Sequence, residues 1–114
     1  MNDDVKESIS TDIQENKILL FMKGTREQPQ CGFSAQVVQI LNSYELDYET
    51  RDVLANWDLR EGIKEYSNWP TIPQVFIGGE FLGGSDILMT MHQDGSLKKE
   101  FEKVGLTVKT GGSD

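Results

Sequence analysis

The stretch Ile18-Leu19-Leu20-Phe21-Met22-Lys23-Gly24 decides the fold of this 114-residue chain. Its continuous apolar run is too short for a helix and suits a strand buried on both faces, as in a parallel sheet. Upstream, Val5, Ile9 and Ile13 recur at four-residue spacing behind Asp3 and Asp4, which predicts an opening amphipathic helix. Downstream, residues 23–30 are polar and rich in turn formers. Across 32–44, Val37, Leu41 and Tyr44 then mark a helical face that Val38 and Ile40 widen. Alternation over 46–53 predicts a second strand, closing a strand–helix–strand unit.

Asn56 predicts the N-cap of a helix whose apolar positions are Trp57, Leu59, Ile63 and Tyr66. That helix stops at Ser67-Asn68-Trp69-Pro70, because a residue before proline avoids helical angles. Gln74-Val75-Phe76-Ile77 and Glu80-Phe81-Leu82, joined by Gly78-Gly79, read as a β-hairpin. Gly83-Gly84-Ser85-Asp86 opens a helix carrying Ile87, Leu88 and Met91, and Asp94-Gly95 breaks it. Ser96 is expected to cap a last helix through Leu97, Phe101 and Val104, with Gly105 closing it. The order gives an α/β fold, a mixed four-stranded sheet with helices on both faces. One domain over 1–105 and a flexible C-terminal tail over 106–114 are expected.

The bulk numbers narrow the function classes. Hydrophobic residues at 37% and charged residues at 26% suit a folded globular chain. A net charge of −8 argues against nucleic-acid binding, which needs basic surface to neutralise phosphates. No apolar run approaches the ~18 residues of a membrane span. Met1-Asn2-Asp3-Asp4-Val5 lacks a basic segment before an apolar run, so no secretory signal is expected. The single cysteine, Cys31, fits a reducing compartment.

Cys31 also carries the chemistry. It precedes a helix, whose free amides favour a thiolate, and Lys23 ends the preceding strand on the same sheet edge. The alternative is an inert buried thiol, but Gln30 and Gly32 on its flanks offer no apolar packing. Ser34 stands where a dithiol redox protein carries its second cysteine. Thr71-Ile72-Pro73, just before a strand, is a candidate cis peptide that would turn the Ile72 backbone outward. The amides at Gly83-Gly84-Ser85-Asp86 suit a carboxylate and the Asp86 side chain an ammonium group, although a plain glycine-turn cap reads equally well. Arg60 and Lys64 either solvate a helix face or receive a carboxylate. His92 reads as a surface residue ahead of a metal ligand. Taken together, the groups describe a groove for a short thiol tripeptide with an α-amino acid at one end and a carboxylate at the other. Glutathione has that form.

Lys23-Gly24-Thr25, Cys31-Gly32-Phe33-Ser34, Trp69-Pro70-Thr71-Ile72-Pro73 and Gly83-Gly84-Ser85-Asp86 resemble the monothiol, CGFS-type glutaredoxins of the thioredoxin-like fold. The single-domain bacterial and mitochondrial members look most similar. The resemblance implies a cis-Pro73 and glutathione bound by Lys23, Arg60, Ile72, Ser85 and Asp86, with Phe33 lining the groove and Lys64 a weaker correspondence. It implies a 2Fe–2S cluster ligated by Cys31 from each of two subunits and by two glutathiones, handed on to apo iron–sulfur proteins. A BolA-like protein is implied as an alternative partner to the second subunit. The cytoplasm, or the mitochondrial matrix after presequence removal, is the implied location. Ser85 departs from the cysteine many members carry there and removes the disulfide it would form. The competing activity is a glutathione-dependent thiol–disulfide oxidoreductase using Cys31 alone. In the family the loop Thr25-Arg26-Glu27-Gln28-Pro29 accompanies poor turnover of that kind.

Overall fold

Every side chain of β1 (Ile18–Met22) is buried, as a strand covered on both faces requires. The computed structural model describes residues 2–108. Around β1 the chain runs α1 (Asp3–Glu15), then α2 (Gly32–Ser43), β2 (Glu49–Asp52), α3 (Trp57–Ser67), β3 (Gln74–Ile77), β4 (Glu80–Gly83), α4 (Ser85–Asp94) and α5 (Ser96–Lys103). The sheet order is β2-β1-β3-β4. β2 lies parallel to β1, with Leu19 opposite Glu49. β3 is antiparallel to β1, and β4 to β3.

Alternation along β1 divides the core. Ile18, Leu20 and Met22 join Val37, Leu41, Leu88 and Phe101 on one face, where α2, α4 and α5 pack. Leu19 and Phe21 join Ile9, Ile13, Ile63 and Phe76 on the other, under α1 and α3. Arg51 of β2 clamps Asp12 of α1 with two bonds of 2.7 Å each, one from Nε and one from a terminal nitrogen. The expected layered, mixed-sheet architecture and the cis Ile72–Pro73 bond are both present.

Three local expectations shift. The second strand begins at Glu49, because Glu45 turns the chain in the left-handed region and pairing with β1 starts only at Leu19–Glu49. Ser96 is the first residue of α5 and not its cap. Gly95, at φ +85°, ends α4 and starts α5, and the Asp94 carboxylate accepts from both the Ser96 amide and hydroxyl. Trp57 and Ile87, expected on apolar helix faces, are exposed at 67% and 38%. Gly105 does close α5, donating to Glu102 while Leu106 donates to Phe101. Within the expected tail, Leu106 and Val108 pack against the core, and residues 109–114 lie outside the described residues. No helix among the described residues is long and apolar enough to cross a membrane.

Candidate functional site

At the carboxyl end of β1 the chain turns through a polar loop and re-enters as α2, with Cys31 in extended geometry at the N-cap position. The thiol is partly exposed. The Ser34 amide does most to pull the Cys31 pKa below its ordinary value, against partial burial; the Phe33 amide, the Lys23 ammonium and the Ser34 hydroxyl add to the lowering. Ser34 itself is fully buried, and its Oγ accepts from the Lys23 amide at 3.2 Å. At this position the chain has a peg joining β1 to α2 in place of a resolving thiol.

The loop between Lys23 and Cys31 is closed. Gly24 bridges Pro29, Gln30 donates to the Lys23 carbonyl, and Thr25 and Gln28 bond each other's backbones. Gly24 sits at φ +89°, where a Cβ would meet the Gln28 carbonyl at 2.5 Å, so only glycine fits. One Asp52 oxygen accepts from both Gly24 and Leu54 at 2.9 Å, tying this loop to the β2–α3 connection. The Arg26 guanidinium lies 4.6 Å from the Tyr48 ring centre.

Residues ahead of β3 form the facing wall. Gln74, fully buried, donates through Nε2 to the Trp69 and Thr71 carbonyls at 3.0 and 3.2 Å and so braces the run into cis-Pro73. Gly84 passes close by, since a Cβ there would sit 3.2 Å from the Pro73 carbonyl. No side chain caps α4, so the amides at its start stay available beside Ser85 and Asp86.

These walls enclose a cleft of about 470 Å³. It brings together Lys23, Cys31, Phe33, Ile72, Ser85 and Asp86, as the sequence suggested. Lys64, Pro70, Thr71 and Pro73 complete the lining. Arg60 is not on the lining: its guanidinium lies 5.7 Å from the Trp57 ring centre, and its buried Nε has no partner. Lys64, one turn on, supplies the α3 cation of the cleft and pairs with Glu61 at 3.6 Å. Gln74 and Asp52 escaped sequence reading. A polar residue inside an otherwise apolar strand and an acid closing a strand were the available signals. A larger, shallow depression on α1 is lined by Asp4, Glu7, Ser8, Thr11, Asp12 and Glu15, away from Cys31. His92 bonds the Tyr44 hydroxyl through Nδ1 at 2.8 Å. Among the described residues, no group of three or more His, Cys, Asp and Glu is placed to hold a metal ion.

The sheet order, the cis-proline and a helix-start cysteine beside it define a thiol protein of thioredoxin-like fold. The Glutaredoxin family profile matches residues 18–82, and the chain belongs to the glutaredoxin family, in its monothiol branch. It is 55% identical over 102 residues to the Synechocystis protein "Uncharacterized monothiol glutaredoxin ycf64-like", covering 90% of this chain and 95% of that one. It is 55% identical over 95 residues to "Glutaredoxin-related protein 5, mitochondrial" of Danio rerio, covering 82% of this chain and 61% of that protein. A solved structure, a monomeric truncated mutant of Trypanosoma brucei 1-C-Grx1, superposes with TM-score 0.84 at 40% identity, over 92% of this chain and 96% of that one.

Proposed function

We propose that this chain carries a glutathione-ligated 2Fe–2S cluster between two copies of itself and delivers it to apo-proteins. The observation that carries this reading is the single thiol, Cys31, opening onto a cleft sized and charged for a thiol peptide. A 2Fe–2S cluster takes four ligands, and one chain offers one sulfur. Two Cys31 thiolates and two glutathione thiolates complete the set. In the cleft, Lys23 and the α3 cations, Lys64 with Arg60 beyond it, face the carboxylate at the far end of glutathione. The Ile72 backbone pairs with the peptide, Phe33 covers it, and Ser85 and Asp86 take its α-amino-acid end. Glutathione held without a covalent bond leaves readily, which suits a carrier. A BolA-like protein replacing one copy, and a cytoplasmic or mitochondrial matrix setting, are consistent with the same chemistry.

A second reading is favoured by the lowered Cys31 pKa. The Cys31 thiolate attacks the glutathione sulfur of a mixed disulfide and expels the client thiolate. A second glutathione thiolate then attacks that sulfur, releasing glutathione disulfide and regenerating Cys31. One sulfur per chain against the four ligands a cluster takes makes carriage the preferred reading.

Cys31→Ser separates ligand from scaffold. After anaerobic reconstitution with iron, sulfide and glutathione, this variant is expected to lose the visible cluster absorbance while keeping its far-ultraviolet circular dichroism. Retained absorbance would sink the ligand assignment.

A further inference from the structure

Gln74 is the one polar side chain of β3, and it is fully buried. Its amide gives both protons to one short stretch of backbone. Nε2 donates to the Trp69 carbonyl at 3.0 Å and to the Thr71 carbonyl at 3.2 Å. Oε1 of the same amide is buried with no partner, and an orphaned buried acceptor has lost its hydration for nothing in return. Methionine has the same reach and no such acceptor, so packing alone gives no reason for an amide here.

Covalent geometry supplies the reason. The Thr71 carbonyl and the Ile72 N–H belong to one planar peptide unit, and in a trans unit they point in opposite directions. The Thr71–Ile72 unit is trans, the cis bond of this run being Ile72–Pro73. An amide that holds the Thr71 carbonyl from the core side therefore turns the Ile72 N–H away from the core. Ile72 lines the Cys31 cleft, and its N–H donates to no group of the chain among the described residues. The residue is only 6% exposed, so this donor calls for a partner that the chain does not supply. Pro70 and Thr71 are exposed, and the Thr71 carbonyl can turn to water once Gln74 is gone. Turning it outward rotates the whole peptide plane and takes the Ile72 N–H off the cleft.

We infer that Gln74 is a positioning residue for the thiol-peptide ligand. It lies outside the cleft lining, and it acts by aiming the Ile72 N–H at the backbone of the bound peptide. The inference rests on the glutathione-binding reading above. It also divides the site in two, because the amides at Ser85 and Asp86 belong to α4 and take no support from Gln74.

The test is a titration of the full reduced chain with reduced glutathione, followed in amide nitrogen–proton NMR spectra. In the wild type, the Ile72, Ser85 and Asp86 signals are expected to shift together as the cleft fills. In Gln74→Met, glutathione affinity is expected to fall at least fivefold. At saturation the Ile72 shift of that variant should be less than half the wild-type value, while Ser85 and Asp86 keep theirs. Gln74→Asn keeps the amide but shortens its reach, and it is read in the same way should the methionine variant fail to fold. Phe101→Leu opens space in the core layer under α2, α4 and α5, and as a stability control it is expected to bind within twofold of wild type. Affinity within twofold of wild type and an intact Ile72 shift in the Gln74 variants overturn the inference. So does an equal loss in Phe101→Leu, or a loss at Ser85 and Asp86 as large as that at Ile72, since either marks general loosening. A wild-type spectrum that glutathione leaves unchanged overturns the glutathione reading, and this inference with it.

Discussion

The Cys31 thiol is held below its ordinary pKa by groups of the first turn of α2 and by Lys23 across the loop. The Ser34 amide contributes most to its lowered pKa, and only proline at that position would remove the donor, at the expense of the helix start. Lys23 contributes through charge, and that can be removed. Lys23→Gln is predicted to raise the Cys31 pKa, read as an upward shift in the midpoint of iodoacetamide alkylation against pH. A midpoint unchanged from wild type would show that the ammonium group is fully screened. The linkage has a definite sign. A thiol whose folded pKa lies below its unfolded one adds stability that is fully present above the unfolded value and fades as pH falls through the folded value. The helix-start thiol and the nearby lysine were legible from spacing alone. The Ser34 hydroxyl holding the Lys23 amide was not, because serine in that motif reads only as an absent cysteine.

Among the elements, the loop between β1 and α2 shows where local sequence ceases to inform. Its polar, proline-containing composition announced a turn. Its closure depends on the Thr25–Gln28 backbone pair and on Asp52, which comes from another strand and left no local signature. Gly24→Ala puts a Cβ against the Gln28 carbonyl at a positive φ, a strain on the order of 1–3 kcal/mol. It is predicted to lower the urea midpoint by a corresponding amount and to loosen the site beside it. A midpoint matching wild type would mean that the loop opens without cost. The same limit explains the shortened β2, since its length depends on where β1 faces it, and β1 gives no hint of that. It also explains α5, where Ser96 has the composition of a cap while Gly95 occupies the cap position.

Across the whole molecule, the order of strands and helices was readable from apolar periodicity and glycine turns, and so was the identity of six cleft-lining residues. Periodicity cannot tell an apolar residue that packs inward from one that rims a site. Trp57 and Ile87 fell on faces expected to be buried and are exposed at the cleft end. Nor could spacing show that Lys64 lines the cleft while Arg60 rests on Trp57, since both positions lie on the same helix face. What the parallel ends of β1, β2 and β4 achieve is convergence of the thiol, the cis-proline run, the cations and exposed apolar side chains at one end. The most direct test of that convergence as a carrier is native mass spectrometry of the anaerobically reconstituted protein. The account predicts a species containing two chains, one 2Fe–2S unit and two glutathiones. A monomer binding glutathione without iron, or a cluster-loaded dimer lacking glutathione, would contradict it.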